Sequence, residues 1–288
     1  MFSAVKSKTP LVYTLSWASA GILFAALYGP HFAAMARRWA SDEGASHGFL
    51  IPVIAAWLVW SKRRKLAEIP KIPCVWGLIP VVLGLLITAA AVQAEVAFLP
   101  QVAALIVLGG AVLYIGGKAL FREVVFPYAF LYFMVPWPDF LVEFVSFPLQ
   151  LLTSTYTAML VGLFGVPVRR EGVDLHMPGF SLTVAAACSG LRSLVALMAL
   201  ASLFAYFTRA SLWKRLLLFF FGIPVALVAN VVRVTLVAFI GLYYDQKLAV
   251  GLFHDYSGPV LFLMCTLAMA AVQRVLVQWQ NQTACEKF

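Results

Sequence analysis

The chain has 288 residues, of which 63% are hydrophobic and 11% charged, with a mean hydropathy of +0.93. Soluble domains carry about 45–50% apolar and 25% charged residues, so a water-soluble enzyme is excluded, and apolar runs recurring from residue 11 to residue 277 exclude a single-anchor protein. The formal charge of +9 arises from 21 Lys and Arg against 12 Asp and Glu; with no basic patch interleaved with aromatics, it reads as membrane anchoring, not nucleic-acid binding.

A bilayer core of about 30 Å takes roughly 20 apolar residues per helix. Candidate spans are 11–28, 47–61, 75–92, 101–117, 124–138, 190–208, 216–243 and 256–277, the second and fifth being short. Lys6 and Lys8 ahead of the first run resemble a signal peptide, but about 18 apolar residues exceed the usual 7–15-residue core, so an uncleaved span is expected. GLLITAA (84–90) and GGAVLYIGG (109–117) read as close helix packing, not phosphate loops. Residues 140–165 are apolar enough to cross, but Glu143 and Pro148 interrupt them, and a crossing would flip Arg209, Lys214 and Arg215 to the outer side. An interfacial or re-entrant helix on the outer face is therefore expected. Residues 166–190 alternate apolar and polar around Pro178-Gly179, the pattern of a short β-hairpin with Val173, Leu175 and Met177 on one face. The expectation is an all-α transmembrane bundle of about eight spans, forming one membrane domain over 1–288.

Orientation follows from the basic residues. With the N-terminus in the cytoplasm, 14 of the 21 basic residues lie on the cytoplasmic side, SKRRK at 61–65 being the strongest anchor. Those anchors also serve as rulers. Cys188 stands 21 residues before Arg209, Arg233 stands 18 after Arg215, and His254 stands 20 before Arg274. At 1.5 Å per residue these offsets are roughly 31, 27 and 30 Å. All three side chains are thus expected near the outer boundary of the hydrocarbon, on three consecutive helices.

Each residue has two readings. The four cysteines are too few and too scattered for a disulfide scaffold or zinc site, and Cys74, Cys265 and Cys285 read as small packing residues. Cys188 reads so too, unless the Ser189-Gly190 turn before a helix exposes a thiolate. Arg233 inside a span is functional by default, with snorkelling to the headgroups as the alternative. Asn230 precedes it by three residues on the same face, and Pro224 offers a bend. His254 in HDYSGP also fits a plain helix start, with Asp255 or Ser257 as cap. Taken together, Cys and His form a nucleophile–base pair and Arg a cation for a developing oxyanion. His31, His47 and His176 stand apart with no metal spacing, so neither metal nor cofactor is expected.

The motifs SHGFLIP (46–52), VPWPDFL (135–141), GVPVRREGVDLHMPG (165–179), AACSGLRSL (186–194), PVALVANVVRV (224–234) and HDYSG (254–258) resemble the exosortase/archaeosortase family of polytopic membrane cysteine transpeptidases. The resemblance covers most of the chain. It implies cleavage of exported proteins carrying a Pro-Glu-Pro-like (PEP-CTERM) C-terminal signal, a transmembrane helix and a basic cluster. It maps the family's Cys, Arg and His onto Cys188, Arg233 and His254, acting through a thioester with an unknown acceptor nucleophile. Asn230, Asp255, Ser189, Arg192, His47, Arg169 and Arg170 are supporting or substrate-binding candidates, the last two for an acidic residue of the signal, although Glu171 and Asp174 are equally near. The implied location is the bacterial inner membrane with the site on its periplasmic side, among lipids. Three other readings remain open: a transporter or lipid flippase, a non-catalytic subunit of a polysaccharide-export assembly, and a serine protease using Ser189 and His254. The transporter reading predicts polar residues throughout the bundle, whereas the spans look dry except near the outer boundary.

Overall fold

The computed structural model describes residues 10–42, 44–185, 189–244, 246 and 252–285, without the side chains of 10–13, 252–256 and 279–285. The chain divides into two compact units, the first ending at Trp137 and the second beginning at Pro138.

The first unit begins with α1 (Pro10–Ser41), which continues through Pro30 instead of stopping at residue 28. A proline removes one backbone bond, and burial of Tyr28, Met35 and Trp39 along one face carries the helix onward. A 3-10 turn (Ser46–Phe49) leads into α2 (Leu50–Ser61), followed by α3 (Arg63–Glu68) and α4 (Leu78–Gln93). Next comes α5 (Leu99–Phe130), ending in a 3-10 turn (Leu131–Met134).

Gly117 divides α5 into two limbs. Its φ of 80° and ψ of 174° lie outside any helix, and a Cβ there would fall on the Ile72 carbonyl oxygen. The first limb packs closely on α4 because Gly77 faces the Gly110 carbonyl and Gly84 faces Val107. Glycine here removes the side chain that would hold the helices apart, as the sequence of GLLITAA and GGAVLYIGG suggests. Two ties then fix the course of the second limb. At its start Lys62 Nζ donates to the Glu123 carbonyl (2.8 Å) and Lys65 Nζ to Glu123 Oε1 (2.7 Å). At its end the Met134 carbonyl accepts from Trp39 Nε1 (2.9 Å), beside Gly48. Lys62 and Gly48 lie at opposite ends of α2, so the second limb runs back across the unit. The two limbs are the fourth and fifth spans of the sequence reading.

The second unit contains α6 (Asp139–Leu163), the strands β1 (Arg169–Glu171), β2 (Asp174–Met177) and β3 (Phe180–Thr183), then α7 (Leu191–Phe207), α8 (Leu212–Tyr243) and α9 (Leu252–Cys285). The expected hairpin is a three-stranded antiparallel meander in the order β1-β2-β3. Gly179 (φ 77°) makes the anticipated turn, and Gly172 (φ 62°) makes a second one that pairs Arg169 with His176. Val173, Leu175 and Met177 do share one face, packed with Phe180 and Val184 on Val234 and Ala238 of α8.

Between residues 140 and 165 the chain makes no re-entrant turn. α6 is unbroken, because Pro148 costs one backbone bond and the buried face on either side holds the helix. It runs alongside α8 in the same sense: Thr153 meets Asn230, and further along Phe164 meets Phe239 with ring centroids 5.2 Å apart. The sheet shows exposed Arg169, Arg170, Glu171 and His176 to solvent while its apolar face covers Val234 and Ala238. Such charge is costly in hydrocarbon, and α6 ends beside this stretch of α8.

Elsewhere α7, α8 and α9 pack around Leu197, Leu218, Ala226, Cys265 and Met269. At one end Gln273 Nε2 donates to Thr208 Oγ1 and Arg215 Nε to the Ala205 carbonyl, both at 2.8 Å. Among the described residues six helical stretches are long and apolar enough to cross a membrane, with shorter ones at Ser46–Ser61 and Leu191–Phe207. The six long stretches, α6 (Asp139–Leu163) among them, and the two short ones give about eight apolar helices, so α6 counts as a candidate span where the sequence suggests an interfacial or re-entrant helix.

Candidate active site

The α7 N-terminus is built on a buried turn. Ser189 is fully buried; its hydroxyl accepts the Leu191 N–H and donates to Ser146 Oγ of α6, both at 3.3 Å. Gly190 follows in the left-handed region at φ 83°. A Cβ at Gly190 would stand 2.7 Å from Asn230 Cγ, so the glycine leaves the space that the Asn230 amide occupies. Asn230 is itself 4% exposed and donates from Nδ2 to Thr153 Oγ1 (3.1 Å). Buried polar groups need such partners, since an unmade bond costs more than a made one returns.

One helical turn further along α8 stands Arg233, half-buried. Its Nε donates to the buried hydroxyl of Ser257 on α9 (2.9 Å). From the sequence alone Ser257 reads only as a possible helix cap. A narrow cleft borders this pair, lined by Ser193, Asn230, Arg233, Gly258, Leu261 and Cys265. Three helices and the turn before α7 therefore converge on one polar patch, at the level where α8 meets the charged sheet.

Of the sequence candidates, Ser189, Asn230 and Arg233 are brought together here. Arg192 is exposed on the first turn of α7. Arg169 and Arg170 are exposed on β1, where Arg169 Nη2 pairs with Glu171 Oε1 (2.7 Å) and Arg170 Nη1 donates to the Gly172 carbonyl (2.8 Å). The neighbouring carboxylate thus competes for any acidic group these arginines meet. His47 belongs to the first unit, where its imidazole reaches the backbone at Phe133 and Gly44 and faces Asp42. Cys188 lies outside the described residues; His254 and Asp255 fall on α9 with their side chains outside them. Cys74 is half-buried and Cys265 buried, both free thiols, in keeping with packing roles.

The sequence reading missed the polar lining. Ser146, Thr153, Ser154 and Thr157 of α6 are all buried, spread over 11 residues or about 16 Å of helix. Ser154 donates to the Gly172 carbonyl (3.0 Å), and Thr157 Oγ1 has no hydrogen-bond partner among the described residues. The interior is accordingly less dry than expected. Hydroxyls weigh little in a hydropathy average, so a polar face passes unnoticed there; their 3.6-residue spacing on one face was the available signal.

A model of the transmembrane exosortase family (Exosortase_EpsH) matches residues 39–271, a stretch that contains every polar group of this patch. No curated protein matches the chain. No solved structure matches it.

Proposed function

The chain belongs to the transmembrane exosortase family, membrane-embedded transpeptidases and proteases, and from that premise we propose that it is a cysteine transpeptidase of exported proteins with Cys188 as nucleophile. The observation that carries the proposal is the anchoring of Arg233 on Ser257, next to an Asn230 packed under the Ser189-Gly190 turn. Cys188 is the chain neighbour of Ser189, and His254 precedes Ser257 by three residues, one turn of a helix. The turn before α7, helix α8 and helix α9, the segments of the chain that hold these three residues, each contribute to the polar patch.

In the proposed reaction the Cys188 thiolate attacks the carbonyl carbon of the scissile peptide bond. A C–S bond forms and the carbonyl oxygen becomes an oxyanion, stabilised by the Arg233 guanidinium. His254 protonates the departing amine as the C–N bond breaks, leaving a thioester. An acceptor amine or water, deprotonated by His254, attacks the thioester and returns the thiolate. Ser257 acts as a positioning residue: by occupying Nε it limits rotation of the guanidinium, and fixed donors stabilise charge without reorganising. Ser189 is a poorer nucleophile, because its hydroxyl is fully buried and donates to Ser146.

The substrates proposed are exported proteins with a Pro-Glu-Pro-like motif, an apolar helix and a basic cluster, processed at the periplasmic side of the inner membrane. Co-expression with a reporter carrying such a tail tests the reading. Cys188→Ala should abolish processing, and wild-type processing by that variant would refute the assignment.

A further inference from the structure

Apart from the polar patch, the first unit holds an apolar groove of about 700 Å³, within the size range of built ligand sites. Pro52 and Val59 of α2 form one wall and Leu108 and Val124 of α5 the other, with Arg63 and Lys71 at the mouth. The groove follows α2 from Pro52 to Trp60, eight residues or about 12 Å at 1.5 Å per residue, with Arg63 at the start of α3 beyond it. That is most of the roughly 15 Å depth of one leaflet in a hydrocarbon core of about 30 Å.

The mouth is cationic. Segments 62–71 and 118–123 together carry seven basic side chains and two acidic ones. Arg63 is held in place: its guanidinium lies 4.7 Å from the Trp60 ring centroid and Nη1 donates to the Trp60 carbonyl (3.3 Å). A stacked arginine at an aromatic rim, above an apolar slot that runs through most of one leaflet, has the form of a headgroup site continuous with an acyl-chain site.

We propose that this groove binds one phospholipid with an anionic headgroup, its chains between α2 and α5 and its phosphate at Arg63 and Lys71. Basic pockets between transmembrane helices take such headgroups. The charge at the mouth selects against the other apolar occupant of similar width, a helix with a cationic end, which Arg63 and Lys71 would repel. The site belongs to the first unit alone and is independent of the chemistry proposed for the second.

The full-length protein, purified in detergent and depleted of lipid, tests this with phosphatidylglycerol and phosphatidylcholine of identical chains, reading bound lipid by native mass spectrometry and the unfolding midpoint. Phosphatidylglycerol should bind at least tenfold more tightly and raise the midpoint. R63A/K71A should lose at least tenfold in affinity, while R64A, an exposed charge off the groove, should lose little. Val59→Trp, which fills the slot without changing charge, should also lower occupancy. Equal binding of the two lipids, full retention by R63A/K71A, or an equal midpoint shift from inorganic phosphate alone would overturn the proposal. Preferential binding of an apolar helical peptide with a lysine-rich end would overturn it as well.

Discussion

Gly190 and Asn230 should be energetically coupled, and the sign of the coupling follows from the geometry. Gly190→Ala places a Cβ on a backbone at φ 83°, which costs about 1–2 kcal/mol in the left-handed region. The same Cβ would lie 2.7 Å from Asn230 Cγ, an overlap that adds about 1–3 kcal/mol of overpacking. The single variant should therefore lose about 2–5 kcal/mol. Asn230→Ala removes the donor to Thr153 Oγ1 and should cost about 1–3 kcal/mol, the desolvation cost of an unsatisfied buried group. In the double variant the overlap with Asn230 Cγ and Nδ2 vanishes, while the backbone strain and the 2.9 Å approach to the Cβ of residue 230 stay. The two costs should thus fall short of additivity by the relieved part of the overpacking cost, about 1 kcal/mol or more, beyond the roughly 0.3–0.5 kcal/mol scatter of independent sites. Reversible denaturant unfolding of the four proteins in one detergent measures the cycle. Additive costs would show that the turn before α7 does not rest on Asn230, and the account of the site would lose its framework.

Other expectations address separate parts of the molecule. Gly117→Ala meets the Ile72 carbonyl at a φ of 80°, so it should lower the unfolding midpoint sharply or prevent folding, read by size-exclusion chromatography and thermal melting. Lys65→Ala breaks a pair that is 63% exposed on the lysine side; it should change stability by less than about 1 kcal/mol, read by the same melts. Arg233→Ala should slow acylation of the reporter about 10²–10³-fold, the usual loss for an oxyanion donor. Ser257→Ala should slow it less, and Ser257→Thr should restore part of the rate if the hydroxyl positions the guanidinium.

Much of the first unit is legible in the sequence because hydrophobic length alone sets the number of passes. The break at Gly117, hidden within one continuous run of helix, agrees with the gap between spans 101–117 and 124–138 once the ties of Glu123 and Met134 are followed. The extension of α1 beyond residue 28 is not legible, since His31, Arg37 and Arg38 lower the apolar average while Met35 and Trp39 are buried by contacts elsewhere in the unit. In the second unit the relation of Asn230 to Arg233 follows from helical spacing. The partners of these residues do not, because Thr153 lies 77 residues from Asn230 and Ser257 lies 24 from Arg233. The third strand depends on Gly172 at positive φ, where composition shows only a glycine between Glu171 and Val173.

The central claim is that acyl transfer passes through a thioester on Cys188, and hydroxylamine trapping during reporter processing tests it most directly. Wild-type protein and Ser189→Ala should yield a reporter ending in a hydroxamate at the cleavage site, detected by mass spectrometry, and Cys188→Ala should yield none. Hydroxamate formation by Cys188→Ala, or its loss in Ser189→Ala while the protein remains folded, would contradict the account.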